Sequence, residues 1–157
     1  MIDIEEIDIK KLNRKEEKIP YDLLLLADPS RRMLEKYIHD SDIFTARFKK
    51  KLIAVYVLLQ LDPVTIEIKN IAVGHDYQNQ GIGKFLLKYA IEKIKRRGFQ
   101  YVIIATGNSS IGQLYLYQRM GFEMMEVKHN HFVDNYDSIN IENEIECKHQ
   151  VVLRKTL

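Results

Sequence analysis

The spacing of hydrophobic and polar residues changes several times along the chain, and these changes predict its secondary structure. Residues 43–48, 52–61 and 65–73 are rich in β-branched and other apolar side chains and partly alternate with polar ones, which predicts three strands. The turn residues Lys49-Lys50-Lys51 and Asp62-Pro63 separate these strands. We therefore expect the three strands to be antiparallel neighbours.

A helix with one apolar face follows the third strand. Its apolar face is formed by residues spaced three or four positions apart, namely Ile82, Phe85, Leu86, Tyr89, Ala90 and Ile94. The helix is predicted from about Gln80 to Gly98, a glycine suited to the position after a helix C-terminus. The unbroken apolar run Tyr101 to Thr106 then predicts a buried parallel strand, so residues 65–106 form a βαβ unit.

The flanking segments carry weaker patterns. Pro20 opens a short predicted helix that stops before Pro29, and Ser30 is a suitable N-cap for a second helix that ends near His39. These two helices are candidates to border a substrate cleft. The other predicted elements are an edge strand in Met1 to Ile9, a connection in Lys10 to Lys18, a helix from Ile111 to Met120, strands in Met124 to Lys128 and Val151 to Arg154, and a polar, interrupted segment from His129 to Glu146. The pattern predicts one mixed α/β domain over residues 1–157.

Composition narrows the class of protein. A chain of 157 residues with 46% hydrophobic and 29% charged residues is typical of one soluble globular domain. The net charge of +2 argues against a dedicated nucleic-acid binder, and the longest apolar run, Leu23 to Ala27, is too short to cross a bilayer. Cys147 is the only cysteine, which suits a reducing compartment, so we predict a cytoplasmic protein.

The stretch Gln78-Asn79-Gln80-Gly81-Ile82-Gly83 joins the strand predicted over 65–73 to the long helix. The first turn of a helix presents backbone N–H groups without intrahelical partners and carries a partial positive charge of roughly half a unit. Both properties suit a phosphate or pyrophosphate group. The alternative interpretation is a plain tight turn, in which the two glycines serve only the backbone conformation.

Three features have the order and spacing of a known superfamily: the glycine loop, the polar break after the buried strand, and Tyr117-Gln118-Arg119-Met120-Gly121-Phe122. Together they resemble the GNAT superfamily of N-acetyltransferases, in the form of a small bacterial-type single-domain member. Gln78, Gly81 and Gly83 match its Gln/Arg-x-x-Gly-x-Gly/Ala loop, and the later stretch matches its Tyr-x-x-x-Gly-Phe. The resemblance covers about residues 52–128.

This resemblance implies the GNAT fold, a central mixed and mostly antiparallel sheet with flanking helices and two parallel strands that splay apart. Acetyl-CoA would bind as co-substrate between strands 65–73 and 101–106, with its pantetheine arm paired to the backbone of Ile71, Ala72 and Val73. An N–H near Ala72 or Val73 would face the thioester oxygen. The implied pyrophosphate cradle consists of Gln78, Asn79, Gln80, Gly81, Ile82, Gly83 and Lys84.

Acyl transfer to an amine requires that one proton leave the ammonium acceptor and another reach the departing thiolate. The resemblance assigns the second step to Tyr117, which precedes Gly121 at the family's spacing, and Tyr115 is the competing candidate. In the family, an asparagine that contacts CoA lies about seven residues before the tyrosine. That spacing pairs Asn108 with Tyr115 and Ser110 with Tyr117, so both Asn108 and Ser110 are candidate CoA contacts.

For the base, the resemblance points to Glu67, because other family members carry a catalytic glutamate in this strand that often acts through water. If the strand is regular, Glu67 shares a face with Ile71 and Val73. The alternative is a solvent-facing Glu67 that pairs with Lys69 or with a lysine of a neighbouring strand. No covalent intermediate is predicted, because Cys147 lies far from the matched motifs.

The segment from His129 to Glu146 has two further candidate roles. His129 and His131 would share one face of a strand and, with Asp134, suggest a metal site, but the spacing identifies no further ligand and we predict no metal. We instead predict a loop beside the acceptor cleft, whose carboxylates would favour a cationic acceptor. These carboxylates are Asp134, Asp137, Glu142, Glu144 and Glu146.

The leading hypothesis is an acetyl-CoA-dependent N-acetyltransferase that acts on a primary amine of a small molecule or peptide, by direct attack in a ternary complex. The alternative is a non-catalytic acyl-CoA-binding sensor or partner module. A nucleotide-phosphate protein is disfavoured, because the loop lacks the Gly-Lys-Ser/Thr of a Walker motif and a full GxGxxG. No nucleic-acid or membrane partner is predicted. The resemblance allows a homodimer, because dimers are common in the family.

Overall fold

The computed structural model describes all 157 residues and contains two sheets. The strands are β1 (Asp8–Lys11), β2 (Asp42–Phe48), β3 (Lys51–Gln60), β4 (Thr65–Val73), β5 (Tyr101–Gly107), β6 (Glu123–Lys128), β7 (Ile141–Glu142), β8 (Ile145–Glu146) and β9 (Gln150–Thr156). Seven of them form one sheet in the order β1-β2-β3-β4-β5-β9-β6, and β7 and β8 form a separate ribbon. In the large sheet only β4 and β5 are parallel. The predicted mixed and mostly antiparallel sheet is confirmed.

Five helices flank this sheet. They are α1 (Tyr21–Ala27), α2 (Arg31–Glu35), α3 (Ile82–Arg96), α4 (Ile111–Arg119) and α5 (His131–Asn135). Short 3₁₀ turns lie at Ile4–Glu6, Ile38–Asp40 and His75–Tyr77. None of these helices combines the length and the apolar character that a bilayer crossing requires.

Two hydrophobic clusters lie on opposite faces of the sheet, because successive side chains of β3 point to opposite sides. Tyr56 belongs to the cluster that α3 covers with Leu86 and other apolar residues. Its neighbours Val55 and Val57 belong to the cluster under α1 and α2, together with Leu24. Full burial of each such large apolar side chain contributes roughly 1.5–3 kcal/mol. The two clusters therefore fix α3 on one face of β4 and α1–α2 on the other.

The N-terminal third differs from the sequence prediction at two places. The edge strand is Asp8–Lys11 rather than Met1 to Ile9, because Asp3 caps a 3₁₀ turn by accepting the backbone N–H of Glu5. Pro20 is the N-cap of α1 rather than its first helical residue.

The second predicted helix is interrupted. The Ser30 side chain accepts the Met33 N–H at 3.2 Å, as the prediction of an N-cap requires. However, α2 ends at Glu35, and the chain continues as the 3₁₀ turn Ile38–Asp40 rather than as one helix to His39.

The C-terminal third contains more regular structure than its sequence indicates. The polar segment from His129 to Glu146 includes α5 and the ribbon β7–β8. The last strand runs from Gln150 to Thr156, longer than the predicted Val151 to Arg154, and it is inserted between β5 and β6. This insertion gives β5 a second neighbour and buries Leu153 completely.

Candidate functional site

β4 and β5 lie side by side for only part of their length. Their parallel register ends at Ile68↔Ile104, although β4 continues to Val73 and β5 to Gly107. Beyond Ile68 the two strands diverge and form a wedge, and the edge of β4 that faces it has no partner strand. An unpaired strand edge presents free N–H and C=O groups, so an extended ligand can pair with it as an additional strand does.

A β-bulge in β4 lies at the point of divergence. Adjacent residues of β3, Leu58 and Val57, oppose Ile68 and Asn70, so Lys69 is the extra residue of β4. A bulge bends the strand that carries it and increases its twist. The bulge at Lys69 therefore accounts for the separation of β4 from β5 immediately after Ile68.

The same bulge changes which side chains of β4 share a face. One inserted residue moves every later side chain to the opposite face. The partners on β3 place Glu67 on the face of Asn70 and Ala72, whereas Ile71 and Val73 lie on the other face. The prediction that Glu67 shares a face with Ile71 and Val73 is therefore wrong, because it assumed a regular strand.

Glu67 is paired and only slightly exposed. Its Oε2 lies 3.3 Å from Lys69 Nζ, and 17% of its side chain is accessible to solvent. The Lys69 ammonium also lies 4.8 Å from the centre of the Tyr37 ring. The pairing with Lys69 matches one part of the alternative interpretation, but the solvent-facing part is wrong, because Glu67 lines a cavity.

Backbone hydrogen bonds decide which N–H groups of β4 face the wedge. The Gly74 N–H donates to Ile53 O on β3 at 2.9 Å, and hydrogen-bonded pairs recur at every second residue of an antiparallel ladder. Ala72 therefore directs its backbone groups to β3, and Ile71 and Val73 direct theirs to the wedge. Ala72 and Val73 were the two residues predicted to supply an N–H that faces the thioester, and of these only Val73 directs its N–H to the wedge. Ile71, which was not predicted for this role, also directs its N–H there.

The glycine loop begins α3 with an unsatisfied first turn. Asn79 and Gly81 have left-handed φ values of 61° and 81°, and Gly81 is an N-cap without a side-chain hydrogen bond. The Phe85 N–H makes the first intrahelical bond, to Gly81 O at 3.0 Å. The N–H groups of residues 82–84 therefore lack intrahelical acceptors. Together with the helix dipole they form a site suited to an anion.

The two glycines of the loop have different roles. A Cβ at Gly81 would meet nothing within 4 Å, so the positive φ is the reason for glycine there. A Cβ at Gly83 would meet only Val73 Cγ2 at 3.8 Å, which is an ordinary contact. Glycine at 83 thus leaves open space beside the free N–H groups, and this space fits the predicted pyrophosphate cradle.

Both glutamine side chains of the loop have partners within the protein. Gln78 Nε2 donates to Val73 O at 2.9 Å and ties the loop to the end of β4. Gln80 Oε1 accepts the Ile2 N–H at 3.0 Å and ties the loop to the N-terminal segment. These side chains position the loop, and its backbone N–H groups are what the loop offers to a ligand.

Tyr117 and Tyr115 lie on the same helix in different environments. Tyr117 is 6% exposed and its ring packs against Phe122 at a centroid distance of 6.0 Å, whereas Tyr115 is 67% exposed. Burial alone raises the pKa of Tyr117 to about 12. Its hydroxyl therefore keeps its proton at neutral pH, and the choice of Tyr117 over Tyr115 as proton donor stays a prediction.

Asn108 and Ser110 are engaged by the segment that precedes β9. Asn108 Oδ1 accepts the backbone N–H groups of residues 148–149, both at 2.9 Å, and its Nδ2 donates to Glu146 O at 3.1 Å. Ser110 donates its hydroxyl to Glu142 at 2.9 Å. The Asn108 amide thus anchors this segment to the end of β5. A CoA contact by Asn108 or Ser110 would have to compete with these hydrogen bonds within the protein.

A cavity of about 290 Å³ opens at the wedge. β4, β5 and β9 contribute Ile68, Ala105 and Val152 to its lining, while Met33 and Tyr136 come from the two walls. One wall is the α1–α2 segment and the other is formed by α5 and the end of β6. The prediction that the two early helices border a cleft agrees with this geometry.

Hydrogen bonds join the two walls. Tyr136 donates its hydroxyl to Asp28 Oδ1 at 2.5 Å, and Tyr37 donates to Asp28 Oδ2 at 3.3 Å. Arg32 Nη2 donates to Asn135 O at 2.6 Å. Burial, with a contribution from the Asp28 carboxylate, raises the pKa of both tyrosines above the ordinary value, so both remain donors. The bonds of Tyr136 and Arg32 thus connect the two walls, and the bond of Tyr37 lies within one of them.

Charged side chains of both signs line the cavity. They are the lysines Lys36, Lys69 and Lys128 and the carboxylates Asp28 and Glu67. Lys69 is paired with Glu67, and Asp28 accepts the two tyrosine hydroxyls. Lys36 and Lys128 form no ion pair.

His131 lies among these charges. Burial lowers the pKa of His131, the lysines Lys128, Lys69 and Lys36 lower it further, and Asp28 acts in the opposite direction. The imidazole is therefore neutral at pH 7. Three lysines and one carboxylate act on His131, so positive charges predominate around this imidazole.

The acidic residues of the segment from His129 to Glu146 lie outside the cavity. Only His131 and Tyr136 of this segment line it, while Glu142 accepts from Ser110 and Glu146 pairs with Lys148. The expectation of a cationic acceptor rested on carboxylates beside the cleft; none of them lines this cavity, and the type of acceptor stays a prediction. Sequence reasoning missed Asp28, Lys36, Tyr37, Lys128 and Tyr136, which belong to no motif. The only signal for them was the prediction of a cleft beside the early helices and the polar segment.

The two histidines of the candidate metal site do not share a strand face. His129 lies in the turn after β6, where its ring packs edge-on against His149 at 4.9 Å. His131 is the first residue of α5. The strand geometry on which that candidate rested is absent.

Comparison with known proteins identifies the family to which this chain is similar. The model of the family described as Acetyltransferase (GNAT) matches residues 7–122. The uncharacterized N-acetyltransferase YvbK of Bacillus subtilis (strain 168) is 47% identical over 133 residues, which are 85% of this chain and 86% of that protein.

Solved structures of similar proteins contain acetyl-CoA or CoA. A GNAT family acetyltransferase from Elizabethkingia anophelis with acetyl-CoA bound is 45% identical, with a TM-score of 0.92 over 97% of this chain and 99% of that one. A Bacillus subtilis acetyltransferase in complex with CoA is 43% identical, with a TM-score of 0.87 over 96% and 99% of the two chains. The agreement in fold extends over nearly the whole length of both proteins.

Proposed function

This chain belongs to the GNAT acetyltransferase family and is an acetyl-CoA-dependent N-acetyltransferase, and from that premise we propose that it transfers the acetyl group directly to a primary amine bound in the cavity at the wedge. We propose further that residues 1–157 act as one acetyltransferase domain. The observation that carries the proposal is the geometry of β4 beyond Ile68. Its unpaired part leads from the cavity at Lys69 to the glycine loop that follows Val73.

The donor half of the site uses backbone groups. Acetyl-CoA supplies the acetyl group, and the free N–H groups of residues 82–84 hold its pyrophosphate beside Gly81 and Gly83. The backbone of Ile71 and Val73 pairs with the pantetheine arm along the wedge. An N–H of this pair that faces the thioester oxygen stabilises the charge that develops there, an effect worth about 10²–10³ in rate.

The acceptor half uses side chains of the cavity. An amine attacks a thioester only in its unprotonated form, so a group near the wedge must take its proton. Glu67 serves as this base, directly or through a water molecule, because it lines the cavity and lies two residues before the bulge. Lys69, which pairs with Glu67 at 3.3 Å, holds the carboxylate in position.

The departing thiolate receives its proton from Tyr117, whose pKa of about 12 keeps it protonated through the neutral range. No acyl-enzyme intermediate takes part. Cys147 is buried and lies outside the cavity, which supports direct attack within a ternary complex.

Initial-rate kinetics test this proposal. With acetyl-CoA and an amine both varied, we expect intersecting reciprocal plots, and parallel plots would overturn direct attack. Glu67→Gln keeps the size of the side chain and removes the base, so we expect kcat to fall by about 10²–10⁴-fold. The matched control is Glu92→Gln, which changes an exposed glutamate of α3 that pairs with Arg96. Unchanged turnover of Glu67→Gln, with a loss in His131→Asn, would assign the base to His131 instead.

A further inference from the structure

The pairing of charges in the cavity leaves two cations without a partner. Three lysines and two carboxylates line it. Glu67 pairs with Lys69, and Asp28 accepts hydrogen bonds from two tyrosines, at 2.5 and 3.3 Å. Lys36 and Lys128 remain, and no carboxylate of the protein lies within ion-pair distance of either.

These two lysines reach the cavity from opposite walls. Lys36 directly follows α2, and Lys128 is the last residue of β6. Both line the same cavity as His131, and both contribute to lowering the pKa of its imidazole. Two like charges at one opening repel each other, and a ligand group of the opposite charge bound between them relieves this repulsion.

The rest of the cavity has a different character. The end that meets the wedge is formed by β4 and β5 and carries the Glu67 carboxylate, so a reacting amine belongs there. Met33, Leu59 and Val152 contribute apolar surface to the same cavity. A ligand that fills it therefore presents an amine to β4 and a different group to the lysines.

We propose that the acceptor is a small amine that also carries an anionic group, either a carboxylate or a phosphate, which binds between Lys36 and Lys128. This inference rests on the proposed function, because it takes the cavity as the acceptor site. It predicts that polyamines are poor acceptors, since a second ammonium group would meet two lysines that have no counter-charge.

Matched acceptors test the charge requirement directly. Tyramine and tyrosine differ only in a carboxylate, as do ethanolamine and serine, and phosphoethanolamine carries a phosphate on the same ethanolamine frame. We expect kcat/KM for the member that carries the anionic group (called here the anionic member) to exceed that of its counterpart without that group by about 10-fold or more, since hydrogen bonds to charged groups are stronger than those between neutral groups. The serine and phosphoethanolamine arms distinguish a carboxylate from a phosphate.

Charge removal on the protein is the second arm. Lys128→Gln should lower kcat/KM for the anionic member about 10-fold more than for its counterpart without the anionic group, and Lys36→Gln should act in the same direction. The matched control is Lys15→Gln, which removes the same charge from an exposed position outside the cavity. A loss of equal size for both members of a pair would assign the lysine a structural role and overturn the inference.

Ligand binding separates this inference from the proposed function. Thermal unfolding in the presence of each amine should show larger stabilisation by the anionic members. Preferential binding of these members without turnover would support the anion site and overturn direct transfer. Equal or better binding and turnover of the amines without an anionic group, or of a polyamine such as spermidine, would overturn the anion site and leave the transferase proposal standing. If no anionic member is bound or acetylated, the inference is overturned as well.

Discussion

Replacing Tyr117 by phenylalanine removes the assigned proton donor and leaves the fold in place. The ring is buried and packs against Phe122, and this contact does not involve the hydroxyl. Burial is the sole cause of the raised pKa of Tyr117, so no hydrogen bond to a protein group is lost with the oxygen. The free energy of unfolding near pH 7 should therefore change by less than about 1 kcal/mol, because no buried group is left unpaired.

Turnover should respond very differently from stability. A positioned proton donor contributes about 10²–10⁴ in rate, which is about 2.7–5.5 kcal/mol of activation free energy. We expect kcat of Tyr117→Phe to fall at least about 100-fold, with KM for acetyl-CoA nearly unchanged, since the hydroxyl acts in the transition state. Tyr115→Phe is the matched control, because that side chain is 67% exposed on the same helix. Its kcat should stay within about 2-fold of the wild type.

The pH dependence of stability gives an independent measure of the burial. The folded pKa of Tyr117 is about 12, above the ordinary value of about 10 in an unfolded chain. The unfolded state therefore releases this proton first. The stabilisation is fully present below about pH 10 and is lost as the pH rises through about 12. At about pH 11 the loss amounts to about 1.4 kcal/mol. Urea unfolding at about pH 8 and about pH 11 should show Tyr117→Phe gaining that amount relative to the wild type.

Two results would refute this reasoning. A kcat of Tyr117→Phe within about 3-fold of the wild type would remove Tyr117 from the proton transfer, since a general acid contributes far more. Equal losses in the Tyr117→Phe and Tyr115→Phe variants would show that the helix, and not the buried hydroxyl, is what the reaction senses.

Three further changes separate the roles of backbone and ligand contacts. Gly81→Ala forces a Cβ into a φ of 81° without a clash, so unfolding should become about 1–2 kcal/mol easier in urea titrations. Gly83→Ala should raise helix stability by up to about 1 kcal/mol and yet weaken acetyl-CoA binding in calorimetry, whereas Gly112→Ala, an exposed helical glycine, should stabilise equally and leave binding unchanged. Asn108→Ala removes three hydrogen bonds to the segment before β9 and should lower the free energy of unfolding by about 2–4 kcal/mol, measured by denaturant titration. A gain in acetyl-CoA affinity by Gly83→Ala, or unchanged stability in Asn108→Ala, would contradict the structure.

Local sequence patterns determined much of the fold. The boundaries of β2, β3 and β4 agree with the predicted strands to within a residue at each end, because alternation and turn residues act over a few positions. The Ser30 cap and the C-terminal Gly98, with φ of 88°, were equally readable from local chemistry. The glycine loop and the Tyr117 motif were sufficient for the family, since both are short and contiguous.

The acetyl-CoA half of the candidate site can also be predicted from a short stretch of sequence, whereas the acceptor half cannot. A pyrophosphate cradle made of backbone N–H groups needs only a glycine loop before a helix, which one stretch of chain supplies. The cavity proposed for the acceptor takes its charged groups from several elements: Asp28 and Lys36 follow the early helices, Glu67 and Lys69 lie on β4, and Lys128 ends β6. No local pattern relates these elements, so the sequence could not predict which charges line the cavity.

Tertiary structure also decided the geometry of β4. The bulge at Lys69 exists only through pairing with β3, which opposes Ile68 and Asn70 with two consecutive residues. Nothing in the alternation of Thr65 to Val73 encodes that extra residue, because register belongs to the pair of strands and not to either sequence. Local sequence patterns thus indicated which strand borders the candidate site. The pairing of that strand determined where the wedge opens, which N–H groups face it and on which side Glu67 lies.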